Sequence, residues 1–115
     1  MSRKSAPWQV WLVDLAPTIG AEQSGRRPAI IVSSPFFAAF PTAMAIVVPL
    51  TTRDRGLPHH VAISSPQSGL QQPSWARTDD VRTISEQRLV GRPLGTVSDE
   101  EADEVRTWLR LMLDV

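Results

Sequence analysis

Cysteine is absent from the 115 residues, which excludes a disulfide framework, a thiolate zinc site and a cysteine nucleophile. That absence agrees with a reducing cytoplasm. The chain also lacks a phosphate-cradling glycine loop, a nucleophile elbow and a dinucleotide fingerprint, so nucleotide-dependent and serine-hydrolase chemistries have no visible foothold. No repeat, low-complexity tract or linker divides it, and residues 1–115 read as one domain with one core. A membrane span is not expected. In MSRKSAPWQVWLVDL the apolar stretch is interrupted by Gln9 and Asp14 before a signal-peptide core forms. Pro28 to Thr52 is free of charge, yet Pro28, Pro35, Pro41 and Pro49 would break any helix there.

Net charge is zero, with twelve residues of each sign, but the signs are unevenly placed. Residues 1–97 hold ten Lys/Arg against six Asp/Glu, while residues 98–115 hold two Arg against six acids. A polyanion partner is permitted by this distribution and not demanded by it.

What is abundant is proline. Its ten copies, at 7, 17, 28, 35, 41, 49, 58, 66, 73 and 93, leave gaps too short for a long helix before residue 94. Residues 8–15, 27–34, 42–51 and 59–65 are rich in Val, Ile and Trp between turn residues and read as strands, with two shorter ones at 74–80 and 81–85. FFAAF, 36–40, fits one helical turn. Many short strands with regular turn signals predict a mainly β small barrel or sandwich. The ending differs: Ser98 and Glu101 make a capping box, acids crowd the first turns, and Ala102, Val105, Leu109 and Met112, with Trp108 beside them, form a stripe at helical spacing. The acids read as a well-capped, solvated helix face.

The polar residues leave alternatives open when taken singly. Trp75, Arg77 and Asp79 share a face if the strand runs to residue 80, so arginine and carboxylate could form a surface ion pair or hold a phosphate and move a proton. Arg26 and Arg27 precede Pro28, which holds the second extended at a strand mouth, as an anion site or as surface charge. Thr51 and Thr52 end a strand, either capping a turn or facing a site. His59 and His60, adjacent on a strand, would face opposite ways and could not share a metal ion. No metal or other cofactor is expected.

Together, however, DLAPTIGAEQSGRRPAIIVSS, VVPLTTRDRGLP, GLQQPSWARTDDVRTIS and RLVGRPLG, followed by a capped helix, occur in one order. From about Trp8 to Leu113 the chain resembles the MazF/PemK (Kid) family of toxin endoribonucleases of type II toxin–antitoxin systems. The resemblance implies an SH3-like small barrel (CcdB/PemK-like) with a C-terminal α-helix, acting in the cytoplasm as a homodimer with an RNA groove across the interface. It implies metal-independent, sequence-selective cleavage of single-stranded RNA by 2′-OH attack, inhibiting translation and growth. It also implies neutralisation by a cognate antitoxin with a disordered acidic tail, and contact with promoter DNA only through that antitoxin. The residues it marks as catalytic are Arg27, Thr51, Arg77 and Asp79, and those it marks for RNA binding are Glu22, Gln23, Arg26, Thr52 and Arg53.

Such cleavage needs the 2′-hydroxyl deprotonated, the phosphorane's extra charge stabilised and the 5′-oxygen protonated as it leaves. Arginine supplies a fixed charge on a planar donor fork, and threonine supplies a donor. Two departures stand out. Where some relatives carry histidine before the loop glutamate this chain has Ala21, which leaves Glu22, Asp79 or an arginine for proton transfer. The asparagine that follows the second strand in relatives is missing from SPFFAAF. Two other readings compete: a CcdB-like topoisomerase-binding toxin on the same fold, and a non-catalytic barrel that binds nucleic acid.

Overall fold

A computed structural model describes residues 5–15 and 25–115. Its strands are β1 (Gln9–Asp14), β2 (Arg26–Ile31), β3 (Met44–Thr51), β4 (His60–Ile63), β5 (Ser74–Arg77), β6 (Arg82–Ser85) and β7 (Leu89–Thr96). A single helical turn, α1 (Pro35–Ala38), follows β2, and a long helix, α2 (Asp99–Leu113), ends the chain. All pairings are antiparallel, in the order β4-β5-β3-β2-β1-β7, with β6 on β3 as well. The mainly β fold with a C-terminal helix is as the sequence predicts. The sheet is not closed, however: its terminal strands β4 and β7 do not pair with each other.

β3 organises the sheet by changing partner along its length. Met44 to Val47 pair with β6, whereas Leu50 and Thr51 pair with β5. Pro49 falls in the gap between these two partners, which is how a residue without an N–H is tolerated in an interior strand.

The sheet is apolar on both faces. Val10, Ile30, Val48, Leu50, Val61, Ile63 and Ala76 pack with Val97, Ala102 and Val105 under α2, while Trp11, Val13, Ala29, Ile31, Ala45, Val47, Ile84 and Leu89 fill a second cluster. Successive residues of one strand therefore feed different cores. From the charge-free run Pro28 to Thr52, Ala29, Ile30, Ile31, Ala45, Val47, Val48 and Leu50 enter these two cores, while Phe36 and Phe40 stay exposed.

The capping box is present. Ser98 Oγ accepts the Glu101 N–H at 3.1 Å, and the Ser98 N–H donates to Glu101 Oε1 at 2.9 Å. Glu101 also accepts from the Ser64 and Ser65 amides at 2.7 and 3.0 Å and from Ser65 Oγ at 2.6 Å, pinning the helix start to the segment after β4. This acid is not part of a solvated face. Burial would raise its pKa, but the Ser65 hydroxyl and the Ser98, Ser64 and Ser65 amides outweigh that and lower it. Along the stripe, Ala102 and Val105 are buried and Trp108 and Leu109 pack against the core, but Met112 is 43% exposed, because the helix runs past the sheet.

β7 is the strand that sequence patterning misses. Gly91, Pro93 and Gly95 interrupt it, most of it is exposed, and its pairing with β1 shifts register between Val10 and Leu12. It is an edge strand that takes proline and a bulge without loss of interior hydrogen bonds. Its end lies against the turn 66–69, where a Cβ on Gly95 would run into the Gln67 carbonyl.

Candidate functional site

The strand registers gather the polar residues at one end of the sheet. Ala29 lies opposite Pro49 across β2 and β3, and extending that register by two residues sets Arg27 across from Thr51. Thr51 in turn lies opposite Trp75, with Leu50 opposite Ala76, so Arg77 falls beside Pro49. Cross-strand neighbours share a face. Arg27, Thr51, Trp75 and Arg77 thus stand on one face of three adjacent strands, whereas Arg26, one residue away, belongs to the other.

Each of these side chains has its own restraint. Arg27 is half-buried between Val13 and the β3 side, and its Nε is buried without a hydrogen-bond partner. Thr51 is buried, and its Oγ1 accepts the Arg53 N–H at 3.1 Å. The hydroxyl therefore caps the strand end, yet its own proton remains available to donate. Thr52, Arg53 and Arg55 follow on an exposed loop. Among the described residues, Arg26, Arg27, Arg53 and Arg55 enter no ion pair, so positive charge is left uncompensated here. Glu22 and Gln23 lie outside the described residues.

Arg77 and Asp79 do not form the expected pair. β5 ends at Arg77, and 78–79 form a turn, so the alternation that would bring Asp79 to the same face stops. Arg77 Nη1 instead meets Asp80 Oδ2 at 3.5 Å, and Asp80 is held in a bidentate bond by Arg82, with Nε at 3.1 Å and Nη2 at 3.0 Å. Arg82 was not marked as a site residue by the sequence; it fixes the acid that fixes Arg77.

Asp79 turns toward the two histidines. Its Oδ2 lies 3.4 Å from His59 Nε2 and its Oδ1 lies 3.8 Å from His60 Nε2. The expectation that these imidazoles diverge fails because only His60 is in β4; His59 sits in the preceding turn, whose carbonyl accepts the buried Thr78 hydroxyl at 2.7 Å. The rings meet edge to face at 4.9 Å between centroids, and His59 also packs on Trp108 of α2. Burial first, and then the charges of His59, Arg77 and Arg55 against the opposing effect of Asp79, push the His60 pKa down. Trp108, which a CcdB-like reading would need exposed near the end of the chain, is packed against the core instead.

Comparison with known proteins shows the family and the fold. The family described as PemK-like, MazF-like toxin of type II toxin–antitoxin systems matches residues 6–113. The chain is 35% identical to endoribonuclease MazF9 of Mycobacterium tuberculosis over 112 residues, 93% of this chain and 94% of that protein. It is 34% identical to the endoribonuclease toxin MazF of Escherichia coli over 104 residues, 90% and 88% of the two chains. The solved structure of a mycobacterial endoribonuclease in complex with its cognate antitoxin superposes with a TM-score of 0.79 at 27% identity, covering 96% of each chain. With residues 6–113 matched in sequence and its fold matched in space, the chain belongs to the PemK-like, MazF-like toxin family of type II toxin–antitoxin systems.

Proposed function

We propose that the protein is the toxin of a type II toxin–antitoxin system, a metal-independent endoribonuclease that cuts single-stranded RNA at short motifs, lowers translation and arrests growth. The observation that carries this reading is the shared face of Arg27, Thr51 and Arg77 in a chain about one-third identical to endoribonucleases over most of its length. The buried, unpartnered Nε of Arg27 is a donor that a phosphate oxygen would satisfy. Arg27 and Thr51 stabilise the charge of the phosphorane, Asp79 takes the 2′-hydroxyl proton, and solvent water supplies the proton that the leaving 5′-oxygen takes up. Arg77, steadied by Asp80, contacts the phosphate. Arg26, Thr52 and Arg53, together with Glu22 and Gln23, are the residues assigned to RNA binding.

The protein acts in the cytoplasm as a homodimer, and its partner is an antitoxin whose disordered acidic tail competes with RNA for the uncompensated arginines, folding as it binds. Promoter DNA is reached only through that antitoxin. Among the described residues no helix is long and apolar enough to cross a membrane. The test is to incubate the purified protein with a long single-stranded transcript in EDTA and map the new ends. Discrete cuts at a shared short motif are expected; intact RNA beside a folded protein contradicts the reading and favours a binding barrel.

A further inference from the structure

We propose that His59, His60 and Asp79 form a binding site for one divalent cation of the zinc class. One nitrogen from each histidine and one carboxylate oxygen lie within 4.8 Å of one another. The two contacts to Asp79, at 3.4 and 3.8 Å, are close to the spacing of roughly 3.3–3.4 Å between ligands held about 2.0–2.1 Å from a tetrahedral ion. An ion is accommodated if the side chains draw together from a span of up to 4.8 Å, and a fourth position stays open to solvent on the Asp79 side, where the side chain is 46% exposed.

Three features favour a cation over a plain hydrogen-bonded cluster. His60 has a side chain only 3% exposed, and its Nε2 is the nitrogen that faces Asp79. His59 Nε2, which faces the carboxylate, is buried and makes no hydrogen bond. Buried polar atoms of a native protein are normally satisfied, and an ion between His59 Nε2 and the carboxylate satisfies that nitrogen. Finally, His59 is braced from behind by Trp108 and by the Thr78 hydroxyl on its carbonyl, so its ring is held in place before any ion arrives. Of the positive charges that act on this cluster, Arg77 is offset by Asp80, whereas Arg55 enters no ion pair among the described residues and opposes the ion. Two imidazoles and one carboxylate suit zinc and its transition-metal neighbours rather than magnesium or calcium.

An ion held here occupies the carboxylate to which proton transfer is assigned above, and so lowers RNA cleavage. That consequence rests on the proposed catalytic role of Asp79; the binding does not. Untagged, metal-stripped protein is titrated with Co2+, read by visible absorption, and with Zn2+, read by calorimetry, alongside His59→Ala and Asp79→Ala variants whose folding is checked by circular dichroism. One ion per chain, bound at least tenfold more weakly by each folded variant and not replaced by Mg2+, is expected. No binding, or binding that both folded variants retain, overturns the site. Cleavage is followed in parallel with and without Zn2+, each protein against its own metal-free rate: loss in the parent but not in His59→Ala supports the regulatory step, and an unaffected parent with Zn2+ bound overturns it. A protein that binds Co2+ but never cuts RNA overturns the proposed function and leaves the metal site standing.

Discussion

Arg77 reaches Asp80 at 3.5 Å and not Asp79, so the two adjacent acids have separate work. Asp80 is neutralised between Arg77 and Arg82, whereas Asp79 has no arginine partner among the described residues and faces only imidazoles.

Asp79→Asn and Asp80→Asn should therefore differ in kind. The first removes the proposed base and should lower kcat by about 10²-fold or more with little change in KM. The second frees Arg77 and should raise KM more than it lowers kcat. Steady-state kinetics on a short RNA decide this, and equal kcat losses would contradict the division.

For the anion-stabilising pair, Arg27→Ala and Thr51→Ala should each lower cleavage by about 10²-fold or more, while Thr51→Ser keeps most of it. The Arg27 change should leave the melting temperature nearly unmoved. Thr51→Ala also removes the acceptor of the Arg53 amide, worth roughly 0.5–1.5 kcal/mol. If Thr51→Ser were as inactive as Thr51→Ala, the hydroxyl would not be the operative group.

Local signals were the legible ones. The capping box of Ser98 and Glu101 is written within four residues, and strands β1 to β6 follow from short runs of Val, Ile and Trp between turns. Arg27 and Thr51 were marked by the family resemblance and not by spacing, and their cross-strand register comes from the fold. What escaped depends on contacts between distant segments. The convergence of His59 on Asp79 comes from the Thr78 hydroxyl closing on a carbonyl nineteen residues earlier, which no spacing rule encodes. β7 escaped because an edge strand can carry glycine and proline, the very residues that elsewhere mark loops.

That edge offers a stability test. Gly95→Ala should destabilise the fold by about 1–3 kcal/mol, since its new methyl group meets the Gln67 carbonyl and the Ser68 backbone. Gly56→Ala meets no atom, and its cost should come from the left-handed φ of 66° alone. Urea midpoints compare them; an unshifted Gly95→Ala would show that β7 does not press on the turn 66–69.

Glu101 gives a pH dependence. Its folded pKa is lowered below the ordinary 4.5, so the stability it contributes is present above about pH 4.5 and is lost as pH falls through the folded value. Glu101→Gln should be less stable than the parent at pH 7, and the gap should narrow below about pH 4. Thermal melts across that range check it, and a constant gap would assign the effect to shape, not charge.

The most direct test of the central claim replaces one hydroxyl. Once the cleavage motif is mapped, an oligonucleotide carrying a single 2′-deoxy substitution at the nucleotide 5′ to the cut is compared, in EDTA, with its all-RNA twin. Attack by the 2′-oxygen predicts that the twin is cut to a 2′,3′-cyclic phosphate and a 5′-hydroxyl while the substituted strand stays intact. Cleavage of both strands at the same rate would contradict the mechanism.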